Sequence, residues 1–127
     1  MAQIKGILVN DGGAPARIIN FKAGEAISAG ECLKVTAADT VSLATDSTGA
    51  IAGFALTDAA SGAQCSVVTG SGVVLYAISD VVGVGEMLVV DATAGRLENS
   101  TADTDDFHAI ALEAQATAGA LTKVLVV

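Results

Sequence analysis

Ala29-Gly30-Glu31-Cys32-Leu33-Lys34-Val35 returns 55 residues later as Val84-Gly85-Glu86-Met87-Leu88-Val89-Val90. Two further blocks follow in the same order. Phe54-Ala55-Leu56 matches Ile110-Ala111-Leu112 at an offset of 56, and Gly62-Ala63 with Val67 matches Gly119-Ala120 with Val124 at an offset of 57. The offset grows by one residue at a time, and loops absorb such insertions at little cost because closure entropy depends weakly on length. The chain therefore reads as an internal duplication, with copies at about 24–77 and 78–127 in one β domain.

The rest of the sequence fits short strands around these blocks. Runs rich in Val, Ile, Leu and Thr predict strands at Ile4–Val9, Arg17–Lys22, Cys32–Thr36, Val41–Ala44, Ala50–Leu56, Gln64–Thr69, Val73–Ile78, Glu86–Asp91, Phe107–Leu112 and Leu121–Val127. Turn residues separate them at Asn10-Asp11-Gly12-Gly13, Ser61-Gly62, Gly70-Ser71-Gly72 and Ala94-Gly95. Strands recurring about every ten residues predict an all-β fold, a small β-barrel or β-sandwich built from two pseudo-repeated units. Asp106–Ala118 also has helical spacing at Phe107, Ile110, Ala111 and Ala114. Its partner Ile51–Thr57 carries Gly53 in its middle, and a glycine weakens a helix by about 1 kcal/mol, so a strand and turn suit both copies better. Packing the copies together predicts one shared core holding Ile27, Leu33, Val35, Leu56, Val67 and their counterparts.

Residues 1–23 lie outside the repeat and predict an N-terminal arm or hairpin. They hold three of the six cations, Lys5, Arg17 and Lys22, and the single proline, Pro15. The segment either completes the core or pairs with a neighbour.

Composition limits the function. The chain has 127 residues, 52% hydrophobic and 16% charged, which suits one folded domain of roughly 6,000 Å² surface against about 18,000 Å² unfolded. Fourteen acidic residues against six basic ones give a net charge of −8. That balance repels phosphate backbones and anionic membrane surfaces, and 3% aromatics leave no stacking platform for single strands. No nucleic-acid or membrane partner is expected. No apolar stretch approaches the ~20 residues of a membrane helix, and no signal-peptide core follows Lys5. Cys32 and Cys65, with no CxxC spacing, read as small buried apolar groups in a reducing cytosol, with a disulfide between them as the alternative.

The sequence carries few reactive motifs. Asp103, Asp105 and Asp106 lack the spacing and terminal Glu of a calcium loop and read as a solvated acidic turn. His108 has no nucleophile in a recognisable motif, and alone it cannot complete a zinc set with two distant cysteines. Gly70-Ser71-Gly72 and Gly83-Val84-Gly85 form no phosphate-binding motif. No catalytic residue, metal ligand or cofactor site is assigned, and the chain is expected not to be an enzyme. A lipoyl or biotinyl carrier barrel would need a modifiable lysine at a hairpin tip. Lys34 lies within a predicted strand, and Arg96 occupies the corresponding loop of the second copy.

One resemblance gives these features a role. Gly24-Glu25-Ala26-Ile27-Ser28-Ala29-Gly30-Glu31-Cys32-Leu33-Lys34-Val35, then Ile51-Ala52-Gly53-Phe54-Ala55-Leu56-Thr57-Asp58-Ala59-Ala60-Ser61-Gly62, then Val67-Val68-Thr69-Gly70-Ser71-Gly72-Val73 follow one another. This order resembles the head-decoration, or capsid cement, proteins of tailed bacteriophages over about Gly24–Val127. The resemblance implies a small, β-tulip-like, non-enzymatic virion protein without cofactors. It implies a homotrimer on the exterior of the expanded capsid, made in the host bacterial cytoplasm, that clamps neighbouring major capsid protein subunits. Family members reach the capsid with an N-terminal segment, which points to Ile4, Lys5, Ile7, Arg17, Phe21 and Lys22 as contacts. A carrier or small-ligand-binding barrel and a tail or fibre subunit are the alternatives.

Overall fold

Val67 and Val124, the last matched pair of the sequence repeat, lie fully buried in two separate five-strand rings. The computed structural model describes residues 8–10, 17–45, 51–91, 93–100 and 108–127. Among them are eleven strands and no helix: β1 (Leu8–Asn10), β2 (Arg17–Ala23), β3 (Cys32–Ala37), β4 (Thr40–Leu43), β5 (Ile51–Ala55), β6 (Gln64–Thr69), β7 (Val74–Ser79), β8 (Met87–Val90), β9 (Leu97–Asn99), β10 (Ala109–Ala111) and β11 (Ala120–Val126). The all-β expectation holds, and the segment with helical spacing forms β10 followed by turns over its described residues from His108 on. The three-residue strand β9 escaped the sequence reading.

The two rings share one pairing plan. Strands β2-β4-β3-β5-β6 form a closed barrel. In the second ring β7, β11, β10, β8 and β9 are neighbours in turn, and a parallel Ser79↔Leu97 pair joins β9 back to β7. Each contact has its counterpart: β2–β6 with β7–β11, β3–β4 with β8–β9, β3–β5 with β8–β10, and the parallel β2–β4 with β7–β9. Local hydrogen bonds repeat as well. Gly30 N–H donates to Ala55 O and Gly85 N–H to Ala111 O, both at 2.8 Å. The antiparallel bridge Ile27↔Ala59 recurs as Val82↔Gln115. Thus β7 stands to β11 as β2 stands to β6, and the residues before Gly24 contribute a wall strand of the first barrel.

Backbone geometry explains the glycine that argued for a strand. Gly53 has φ +148, and a Cβ there would sit 2.1 Å from Val68 O. β5 and β6 approach so closely at this point that only glycine fits.

The apolar residues form two clusters, which corrects the single core expected from sequence. One fills the first barrel with Ala23, Ile27, Leu33, Val41, Ala55, Cys65 and Val67. The other fills the second ring, with Leu75, Leu88, Leu97, Ala111 and Val124, and continues into Cys32, Phe54, Leu56 and Val68, which lie outside the first cluster. Alternation along a strand causes this division: Leu33 and Val67 point into the first barrel, while Cys32 and Val68 point out of it toward the second. Val35 is not core, being 39% exposed.

Candidate functional site

The N-terminal strand β2 carries three of the residues marked as contacts. Ile4, Lys5 and Ile7 lie outside the described residues. Arg17 and Lys22 are exposed at opposite ends of β2, and Phe21 packs, partly buried, against the first-barrel cluster. β2 pairs with β6 over six residues from Arg17↔Thr69 to Lys22↔Gln64. On its other edge it meets β4 only at Lys22↔Thr40 and Ala23↔Val41. From Arg17 to Phe21 that edge faces no strand among the described residues. The counterpart edge of β7 is covered by β1 through Leu8↔Leu75 and Asn10↔Val74. Beside the open edge, Ile18 and Ile19 are 47% and 46% exposed. The site is thus a strand edge flanked by two cations and two isoleucines on a chain of net charge −8. Such an edge can accept an extended segment by backbone pairing, with little demand on side chains.

The structure also assembles an acidic group that the sequence reading missed. Asp80, Asp91 and Glu98 bring one carboxylate oxygen each within 4.8 Å of one another. Arg96 Nη1 donates to Asp80 Oδ1 at 3.0 Å. A hydrogen bond shared with Asp91, reinforced by burial, holds the Asp80 carboxyl above the usual carboxylate range despite Arg96. Burial first, and then the charges of Asp91 and Asp80, raise Glu98 likewise. The residues converge from the end of β7, the β8–β9 turn and β9. The repeat carried a signal for β9 alone, because Leu97 falls where the copy has Val41, a strand residue. The acidic turn singled out in the sequence, Asp103, Asp105 and Asp106, lies outside the described residues.

His108 is half-buried and borders a cavity of about 190 Å³ shared with Ile51–Phe54, Gly70, Ser71, Val126 and Val127. Its backbone N–H donates to Leu88 O, and its carbonyl accepts from Val127 N–H. Both cysteines are buried free thiols, Cys32 in one cluster and Cys65 in the other. Burial pushes the Cys32 thiol up to about 12 and raises that of Cys65. A thiol so hard to ionise is a poor nucleophile and a poor metal ligand. Lys34 lies within β3, not at a hairpin tip. Among the described residues no helix is long and apolar enough to cross a membrane.

Comparison with known proteins agrees with the all-β scaffold. Residues 14–127 match the phage cement protein family, and the chain belongs to it. Among solved structures, the chain is similar to the N base of the head fiber gp8.5 of bacteriophage phi29. The TM-score is 0.69 at 18% sequence identity, over 89% of this chain and 95% of that chain. At that identity the likeness establishes the fold. No curated protein matches the chain.

Proposed function

We propose that this phage cement protein binds the exterior of the expanded capsid as a homotrimer, bridges neighbouring major capsid protein subunits and catalyses no reaction. The observation that carries the reading is the edge of β2 from Arg17 to Phe21, which faces no strand among the described residues. It offers backbone hydrogen-bonding groups, an isoleucine pair and flanking cations, while the matching edge of β7 is already covered by β1. A strand of a capsid subunit would add to that edge, with Arg17 and Lys22 meeting acidic groups and Phe21 anchoring β2 from within. Ile4, Lys5 and Ile7 extend the contact along the N-terminal segment. Each such contact is modest. A trimer that touches several subunits converts modest contacts into a durable clamp through effective concentration. The net negative charge keeps decorated particles apart.

Co-sedimentation with undecorated expanded heads tests the proposal. The wild type pellets with heads, and Ile18→Asp combined with Lys22→Glu loses at least tenfold in affinity while keeping its fold. A wild type that stays in the supernatant at every salt concentration rules the reading out. A prosthetic adduct found on a lysine by intact mass spectrometry would favour the carrier alternative instead.

A further inference from the structure

The internal duplication lets one barrel report what the other is missing. Strand registers fix the correspondence: Ile19↔Val67 in the first barrel matches Leu75↔Val124 in the second. Ile19 therefore corresponds to Leu75, and Val35, by the repeat, to Val90. All four fall on the inward side of their barrels by strand alternation. Leu75 and Val90 are 0% and 6% exposed, whereas Ile19 and Val35 are 46% and 39% exposed.

The outward faces show the reverse asymmetry. Ala29, Cys32 and Leu56 of the first barrel are at most 6% exposed, because they join the cluster of the second. Their counterparts Val84, Met87 and Leu112 are 71%, 41% and 40% exposed. The internal contact thus joins an outward face of the first barrel to the inner positions of the second. Cys32 N–H donates across it to Gly95 O at 2.9 Å, and Gly95 N–H donates to Ala44 O at 2.7 Å. Gly95, at φ 78, corresponds to Asp39, the one non-glycine residue of positive φ among the described residues, at φ 50. The first barrel has the corresponding turn, whose Asp39 O accepts from Lys22 N–H of its own barrel at 2.8 Å, as well as the exposed inner positions.

We infer that the chain associates head to tail with a second copy of itself, the outward face at Val84, Met87 and Leu112 of one copy seating on the Ile19 and Val35 end of the next. The new contact repeats the internal one. An apolar patch at one end of a duplicated unit and its complement at the other are what a repeat leaves when no terminal cap covers it. The contact is heterologous, using different surfaces on the two partners, so it closes into a ring or continues as a filament. The closed form rests on the trimer reading above; the contact itself does not. Ile18 and Lys22 lie on the other face of β2 from Ile19, so the strand serves both contacts.

Sedimentation velocity of the full chain, with no heads present, tests the inference. Leu112→Asp spoils the outward face and Val35→Asp spoils the inner end; both replace side chains about 40% exposed, which the fold tolerates. The wild type sediments as an oligomer, and each variant falls to the mass of a single chain. An equimolar mixture of the two variants forms dimers, because each supplies the surface that the other lacks, and goes no further. A wild type that stays a single chain at high micromolar concentration overturns the inference. So do variants that leave the assembly unchanged, or a mixture that yields no dimer, as a symmetric contact would. Should Leu112→Asp fail to fold, Met87→Lys replaces it. An oligomer that never binds heads removes the capsid reading and leaves this contact standing; a monomer that binds heads does the opposite.

Discussion

Ser79 and Thr122 share a hydrogen bond of 2.6 Å between hydroxyls of two fully buried residues on adjacent strands of the second ring. The first barrel has Ala23 and Cys65 at these places, both buried and apolar. Ser79 Oγ also donates to Asp80 O at 2.9 Å, which leaves Thr122 as the donor between the two hydroxyls. One barrel fills these positions with a small polar pair and the other with a small apolar pair.

That difference predicts an energetic asymmetry. Ser79→Ala leaves the Thr122 hydroxyl without its acceptor in a dry core and costs about 1–3 kcal/mol. The double substitution Ser79→Ala with Thr122→Cys installs the first barrel's pair and recovers most of the loss. Urea unfolding of the two proteins measures both. A double variant less stable than the single one would show that the ring does not tolerate the exchange.

Glycine positions separate into two classes. At Gly53 a methyl group would strike Val68 O, so Gly53→Ala costs upward of about 3 kcal/mol. At Gly62 nothing lies within 4 Å and only the φ of +84 resists, so Gly62→Ala costs about 1 kcal/mol. Equal shifts in the unfolding midpoint would contradict the close approach of β5 and β6.

The cysteines predict a chemical readout. With Cys32 fully buried and its thiol raised to about 12, and Cys65 also buried and raised, the native protein resists maleimide at pH 7 and takes up two equivalents only in denaturant. Rapid labelling of either thiol in the native state would contradict their burial.

The acidic group sets a pH dependence. Glu98 titrates higher in the folded chain than in the unfolded one, so its charged form opposes folding at neutral pH. That opposition fades as pH falls through the folded pKa and is gone below the unfolded one. Glu98→Gln therefore raises the melting temperature at pH 7, and the gain disappears below pH of about 4, the ordinary range of a glutamate. Thermal melts across pH check this; an unchanged or lower melting temperature at pH 7 overturns it.

The duplicated blocks around Leu33, Leu88, Val67 and Val124 made the fold class legible, because strand alternation and glycine turns are local properties written in neighbouring residues. The same pattern placed nine strands, β2 to β8, β10 and β11, and missed β9, whose Leu97-Glu98-Asn99 has one apolar residue and no alternation to detect; the strand expected at Ile4–Val9 lies mostly outside the described residues. The Asp80, Asp91 and Glu98 group escaped because its members meet across strands at no characteristic spacing. Local patterning suffices to specify a doubled all-β scaffold of small apolar residues. Tertiary structure alone decided that Cys32 and Val68 face the other barrel while Leu33 and Val67 fill their own, and that Val35 stays open where Val90 is covered. Composition marks a residue as apolar, but only the packing of one barrel on another determines which apolar faces find a partner.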